Sequence, residues 1–231
     1  MNASPTAAGA TAGTPLTVDV WSDTVCPWCW LGKRRFEAAL RQRPDLAVEV
    51  RWHPFELNAD MPPEGADRRE YLQRKFGDPD RFKDAQQQLI QLGAAVGIDY
   101  RFALATRMPN TRGSHVLARL AGERQSDVVE RLFAAYFHEG RDVGDPAVLA
   151  AIAGEAGLDA AAVRARLDAR ADHAAIEQEE RQAYGMGISG VPFFVFAGKW
   201  AVSGAQETDA FVRALDLVAD ELAKSAPAAA K

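Results

Sequence analysis

Apolar and polar residues alternate through Leu16-Thr17-Val18-Asp19-Val20-Trp21, the period of two that a strand shows when one face meets a core. Residues 22–25 break the pattern. From Pro27 the spacing turns helical: Leu31, Phe36, Ala39 and Leu40 share one side, proline suits the first helical position, and Pro44 closes the segment. A second strand follows at residues 47–52. Strand, helix and strand with short joins predict a parallel pair, because parallel neighbours need a crossover between them. Residues 67–185 then change character. They are rich in Ala, Leu, Gln, Glu and Arg, and apolar residues recur at helical spacing in Leu89, Leu92 and Val96, in Val128, Val129, Leu132, Phe133, Tyr136 and Phe137, and in Ile152, Leu158, Val163 and Leu167. Breaks fall at 77–79, 108–110 and 144–146, and no fixed repeat period links the helices. Strand character returns at 191–196 and 200–202 around a turn at 197–199, and an amphipathic helix over about 207–222 carries Phe211, Leu215, Val218 and Leu222 on one face. The order βαβ, helical block, ββα predicts a discontinuous α/β domain (16–66 with 186–224) interrupted by a helical domain (67–185). Residues 1–15 and 225–231, dominated by small residues and proline, read as a disordered lead-in and tail.

Composition adds bounds. The chain has 231 residues, 48% hydrophobic and 26% charged, which suits a soluble globular protein. A net charge of -5 argues against nucleic acid or an anionic membrane as partner, since both call for a concentrated positive field. No apolar run approaches the roughly 18 to 20 residues that span a bilayer, and the N-terminus lacks the basic and apolar stretches of a secretory signal. A cytoplasmic location is the expectation, and the oligomeric state, monomer or homodimer, stays open.

The two cysteines of the chain stand in Cys26-Pro27-Trp28-Cys29. A pair so close cannot staple long loops, which leaves metal binding, redox chemistry or inert burial. With Cys26 at the cap of the first helix, amide donors and the helix dipole favour a thiolate over a thiol, which makes Cys26 the expected nucleophile. Two residues on, Cys29 comes within bridging distance and is expected to resolve a mixed disulfide formed at Cys26. Pro27 stiffens the turn and Trp28 offers an apolar face beside the sulfur, so both tune the potential. Zinc fits poorly: a structural site wants four ligands, and His53, His115, His138 and His173 are scattered singly. No metal or cofactor is expected.

Four segments, residues 23–30 (Asp-Thr-Val-Cys-Pro-Trp-Cys-Trp), 53–58 (His-Pro-Phe-Glu-Leu-Asn), 110–115 (Asn-Thr-Arg-Gly-Ser-His) and 187–193 (Gly-Ile-Ser-Gly-Val-Pro-Phe), resemble the DsbA-like thioredoxin-fold oxidoreductases, in particular their cytoplasmic FrnE-like branch. The likeness runs over roughly residues 16–222. It implies a thioredoxin-like fold with an inserted helical domain, and a thiol-disulfide oxidoreductase acting on protein or small-thiol substrates. It also implies a cis Val191-Pro192 bond facing the cysteines, with the Val191 backbone pairing an extended substrate. Trp30 stands where relatives more often carry Tyr, and the second cysteine pair of some relatives is missing. A sister group, the kappa-class glutathione transferases and 2-hydroxychromene-2-carboxylate isomerases, typically has Ser at the Cys26 position. It implies glutathione as a possible co-substrate near Val191 and Asn110, and a glutathione-dependent transferase or isomerase as an alternative function. A redox-independent holdase for unfolded chains is a third.

The remaining residues read more plainly. The resemblance places His115 near the cleft as a substrate-binding candidate, although a structural histidine is the first reading. His53 reads as packing at a strand end, and Phe133, Tyr136 and Phe137 as core. Lys33, Arg34 and Arg35 either form a solvated helix face or lend positive potential to Cys26. Asp23 is a possible proton acceptor in an ordinary turn segment and is left without a role.

Overall fold

The computed structural model describes residues 15–77 and 79–225, so most of the expected lead-in and tail lies outside the described residues. Ser225, expected in the tail, instead ends the last helix. The central sheet holds four strands in the order β2-β1-β5-β6: β1 (Leu16–Ser22), β2 (Val48–Pro54), β5 (Phe193–Phe196) and β6 (Trp200–Ser203). β1 runs parallel to β2, through the crossover helix α1 (Pro27–Arg41), and antiparallel to β5. Val20 thereby stands opposite Trp52 on one side and Phe194 on the other.

Period-two alternation gives the sheet two different faces. On one, Val18, Val20, Phe194 and Phe196 are fully buried under α1 and the closing helix α9 (Thr208–Ser225), where the Phe36 ring meets those of Phe194, Phe196 and Phe211 at 5.4, 6.0 and 5.5 Å. On the other, Trp21, Phe193 and Val195 pack with Phe55, Ala183 and Ile188.

Between β2 and β5 the described residues form seven α-helices: α2 (Arg68–Phe76), α3 (Pro79–Ala94), α4 (Arg112–Leu120), α5 (Gln125–Phe137), α6 (Pro146–Glu155), α7 (Ala160–Asp168) and α8 (His173–Gly185). Asp67, Asp145 and Asp159 cap α2, α6 and α7 by accepting amide hydrogens of their first turns. Two short strands pair antiparallel, β3 (Ala66–Asp67) at the edge and β4 (Arg107–Met108) inside the stretch expected to be helical. A two-residue ladder has no period to read. The core does not stop at the sheet: Trp30 in α1 stacks on Phe133 and Phe137 of α5 at 6.2 and 6.1 Å, and one continuous cluster of buried residues joins both regions. Among the described residues no helix is long and apolar enough to cross a membrane.

Candidate active site

Cys26 occupies the N-cap of α1 in an extended conformation (φ -92°, ψ 110°), with Pro27 opening the helix. Both cysteines stand as free thiols. The expectation that the Cys26 sulfur faces the helix amides is only half met: it caps α1 by position but makes no hydrogen bond to its amides. Its thiol donates instead to the Val191 carbonyl, 3.8 Å away and 165 residues along the chain. The Val191-Pro192 bond is cis, as the resemblance implied. Strand β5 starts only at Phe193, later than the pattern suggested, since Pro192 has no N–H to give a ladder.

Gly32, which the sequence reading passed over, makes this approach possible. A Cβ at Gly32 would lie 2.9 Å from the Pro192 ring, so glycine in α1 lets the Val191-Pro192 segment rest against the helix beside Cys26. Gly32→Ala gains about 1 kcal/mol of helix propensity and loses about 1 to 3 kcal/mol to overpacking. Its expected signature is a stability close to that of the parent chain with disulfide exchange slowed about tenfold or more. Melting curves beside exchange rates check it.

Cys29 sits one turn deeper and fully buried, its amide bonded to the Cys26 carbonyl at 3.0 Å. Burial, and after it the hydrogen bond and charge of the Cys26 sulfur, push the Cys29 thiol well above its ordinary value. Cys26 is the outer thiol of the pair, 4% exposed against none for Cys29. The Cys26 sulfur opens on a cleft of about 430 Å³ lined also by Pro27, by the 37%-exposed Trp28, and by Leu57, Tyr71 and Phe102. From below, the Tyr100 hydroxyl donates to the Pro27 carbonyl at 2.6 Å, and burial raises that phenol far above its ordinary value, so it stays a donor.

A buried polar cluster supports the cysteine loop. The Asp23 carbonyl accepts the Cys26 amide at 3.0 Å, and its carboxylate accepts the amides of Leu57 (2.7 Å) and Val25 (3.4 Å) while facing the His115 ring at 3.6 Å. One residue before Leu57, the Glu56 amide donates to Glu180 at 2.5 Å, and the Glu56 carboxylate takes both Nε and Nη2 of Arg112, at 3.0 and 2.7 Å. Burial would lower His115, but the facing Asp23 carboxylate, joined by the charges of Glu56 and Glu180, outweighs it and raises the imidazole. Burial first, and the Glu56 charge second, push Glu180 up to about 7.

Both shifts keep a proton that the unfolded chain gives up more readily. Their stabilisation is complete below the ordinary values and drains away as pH rises through the raised ones. Thermal stability is thus expected to fall between about pH 5 and pH 8, and Glu180→Gln, which cannot ionise, should flatten that slope in melting curves taken across the range. His115, facing Asp23, Glu56 and Glu180, keeps part of it. A slope unchanged by Glu180→Gln would refute the assignment.

Of the substrate-binding candidates, the structure brings Val191 to Cys26 but not Asn110 or His115. The Asn110 amide donates to Met61 O at 2.7 Å and its carbonyl accepts the Arg112 amide at 3.1 Å; it lines a different cavity and shapes the entry to α4. His115 lies behind the cysteines, bordering a rear cavity of about 350 Å³ with Ser22, Thr24 and His53. His53 packs as expected, stacked on Trp21 at 4.7 Å and bonded to Asp19 at 2.8 Å. The solvated-face reading of Lys33 and Arg35 is wrong. Both are buried: Lys33 meets Glu37 and, at 3.1 Å, Glu130, while Arg35 reaches Ala205 O and Glu207, each at 2.7 Å. Arg34 pairs with Glu130 at 2.6 Å, so the run of cations is spent on carboxylates rather than on Cys26. Among the described residues no group of three or more His, Cys, Asp or Glu is placed to hold a metal ion.

Comparison with known proteins places the chain in a family. The profile of the DSBA-like thioredoxin domain matches residues 17–216. The uncharacterized protein YwbO of Bacillus subtilis (strain 168) is 30% identical over 201 residues, covering 86% of this chain and 94% of its own. The crystal structure of a probable DsbA oxidoreductase, SCO1869 of Streptomyces coelicolor, superposes with a TM-score of 0.81 at 34% identity, over 89% of this chain and 91% of that one. The cytosolic disulfide reductase DsbM of Pseudomonas aeruginosa, solved with GSH, gives a TM-score of 0.61 at 21% identity, over 87% and 98%. The chain belongs to the DSBA-like thioredoxin domain family.

Proposed function

We propose that this protein is a thiol-disulfide oxidoreductase that exchanges disulfides with protein or small-thiol substrates through Cys26 and Cys29. The observation that carries this reading is the asymmetry of the pair: Cys26 opens on the cleft beside the Val191 carbonyl, and Cys29 lies buried one turn deeper with its thiol held protonated. Cys26 as thiolate attacks one sulfur of a substrate disulfide and displaces the other as a thiolate. Cys29 then loses its proton, attacks the Cys26 sulfur of the mixed disulfide, and frees the second substrate thiolate. Two electrons pass from the dithiol to the substrate, and the reverse sequence oxidises a dithiol. Burial of Cys29 suits this order, because its attack is intramolecular and needs no approach by an outside thiol. The carbonyl of Val191 offers an acceptor to an extended substrate backbone lying beside the sulfur, a form of strand addition. Glutathione is the small thiol favoured as recycling partner, since the DsbM structure contains it. A cytosolic setting goes with the same likeness.

Equilibration of the chain in mixtures of reduced and oxidised glutathione, followed by acid quenching, alkylation and mass measurement, tests the reading. The expected product is an internal Cys26-Cys29 disulfide, two hydrogens lighter, with a potential inside the range of roughly -270 to -120 mV spanned by related dithiols. A stable glutathione adduct on Cys26, with no internal disulfide at any ratio, would overturn it in favour of a glutathione-dependent transferase or isomerase.

A further inference from the structure

The cleft does not end at the cysteine. Past Arg68, Phe82, Gln86 and Phe102, which border both spaces, it continues into a second cavity of about 550 Å³ walled by α2 and α3 and by residues 102–106. The walls of the cleft at Cys26 are mostly apolar, with Leu57, Phe76, Leu89 and Met108 among them, and among the described residues no Asp or Glu borders it. This is a local reversal, because the chain as a whole carries 32 acidic against 27 basic side chains. Among the described residues the cleft holds two cations, Arg68 and Lys75. At its mouth the Lys75 ammonium is met by neutral acceptors, the Tyr71 hydroxyl at 2.6 Å and Asn58 Oδ1 at 3.0 Å.

Deeper, where the two cavities join, the Arg68 guanidinium lies 5.8 Å from the centre of the Phe102 ring. Its Nε is buried with no acceptor, and among the described residues no carboxylate stands within 4.0 Å of it. Arg43, Arg112, Arg131 and Arg141 each meet a carboxylate, and Arg107 and Arg124 meet backbone carbonyls instead. A guanidinium kept from a carboxylate inside an apolar cleft, with a donor left over, is arranged to receive one from outside.

We propose that Arg68 reads a carboxylate on the substrate, so that the cleft selects disulfides whose apolar body carries an acid group over neutral or cationic ones. The inference rests on the oxidoreductase reading. The acid group takes no part in the chemistry: Cys26 attacks the nearer sulfur and releases one substrate thiolate, Cys29 gives its proton to solvent and releases the second, and the carboxylate stays paired with Arg68 throughout.

Three small disulfides separate the possibilities when the full-length, pre-reduced protein is mixed with each: dithiobis(nitrobenzoate), aromatic and carboxylated; dithiodipyridine, aromatic and neutral; and cystamine, cationic. Each rate is divided by that of dithiothreitol with the same disulfide, which removes intrinsic reactivity. A preference for the carboxylated probe over the neutral one of about tenfold is expected, the size of one charge-assisted contact. In Arg68→Gln the preference falls to near one while the neutral probe keeps its rate within about twofold. Arg68→Lys retains most of the preference, and Arg68→Glu shifts it towards cystamine. In the unmodified chain, nitrobenzoate without a sulfur slows the neutral probe and nitrobenzamide does not, a result that depends on no variant folding. An unchanged preference in Arg68→Gln, an equal loss with both aromatic probes, or equal inhibition by the acid and the amide overturns the proposal. Failure of the unmodified chain to reduce even the neutral probe would overturn the oxidoreductase reading itself, and that outcome is distinct from reduction without charge preference.

Discussion

Cys26→Ser brings disulfide exchange down to the uncatalysed level, a loss of about a thousandfold or more, because a serine hydroxyl at neutral pH is no substitute for a thiolate attacking sulfur. Cys29→Ser behaves differently. Cys26 still opens on the cleft, so the first half-reaction runs and one substrate thiolate is released per chain. The second half-reaction then stops: the group nearest the mixed disulfide is a hydroxyl, and the adduct persists until an external thiol removes it. Non-reducing mass measurement after mixing with a disulfide peptide is expected to show the peptide on Cys26 in nearly every molecule of Cys29→Ser and in none of Cys26→Ser. The buried, high-lying Cys29 thiol makes the contrast sharper than an exposed pair would, since a solvent-accessible second cysteine can be bypassed by other thiols. Turnover of Cys29→Ser at the parent rate would sink the two-cysteine mechanism, and trapping at Cys29 would reverse the assigned roles.

The elements that read most clearly from the sequence are those whose side-chain period matches their burial. β1 alternates Leu16, Val18 and Val20 against Thr17 and Asp19, and the structure buries the first set and half-exposes the second. α1 could be placed from Pro27 because proline at a first helical turn and a following apolar side say the same thing. The cysteines were legible for a similar reason, since their spacing and place at a helix start are local facts. What escaped the sequence depends on partners far along the chain. Lys33 and Arg35 resemble any solvated helix face until Glu130 and Glu207 fold onto them, and nothing near residues 33–35 announces either acid. Gly32 is one small residue in a helix until Pro192 approaches from 160 positions away. The resemblance draws Asn110 towards the substrate, while its side-chain amide, bonded to the Met61 carbonyl and the Arg112 N–H, commits it to the turn before α4. Glu56 and Arg112 were present in two of the segments that carried the resemblance, yet only the folded chain makes them one ion pair.

That pair is where the largest loss of stability is expected. The Glu56 side chain has no exposed surface and its Oε2 takes two donors of Arg112, whose own side chain is 19% exposed and reaches Glu177 as well. Arg112→Met keeps much of the volume and removes the charge, leaving the Glu56 carboxylate uncompensated beside Glu180. Breaking a buried pair in this way costs about 3 to 5 kcal/mol, far more than the pair contributes when compared with a well-packed apolar substitute. At roughly 2 to 4 °C per kcal/mol for a chain of this size, the melting temperature should drop by about 6 to 20 °C. Adding Glu56→Gln to the variant should restore a large part of the loss, because it removes the stranded charge. Such recovery, measured in a double-mutant cycle by urea or thermal melts, distinguishes charge burial from lost packing, which the second change would not repair. Activity should follow. The Glu56 amide is held by Glu180 and the Leu57 amide by Asp23, whose carbonyl also holds the Cys26 amide, so the wall of the cleft and the attacking sulfur share one buried support. Arg112→Met is therefore expected to slow disulfide exchange even at temperatures where the chain stays folded, although Arg112 is not among the residues lining the cleft at Cys26. A folded Arg112→Met variant with the parent's exchange rate would show that the support and the cleft are uncoupled.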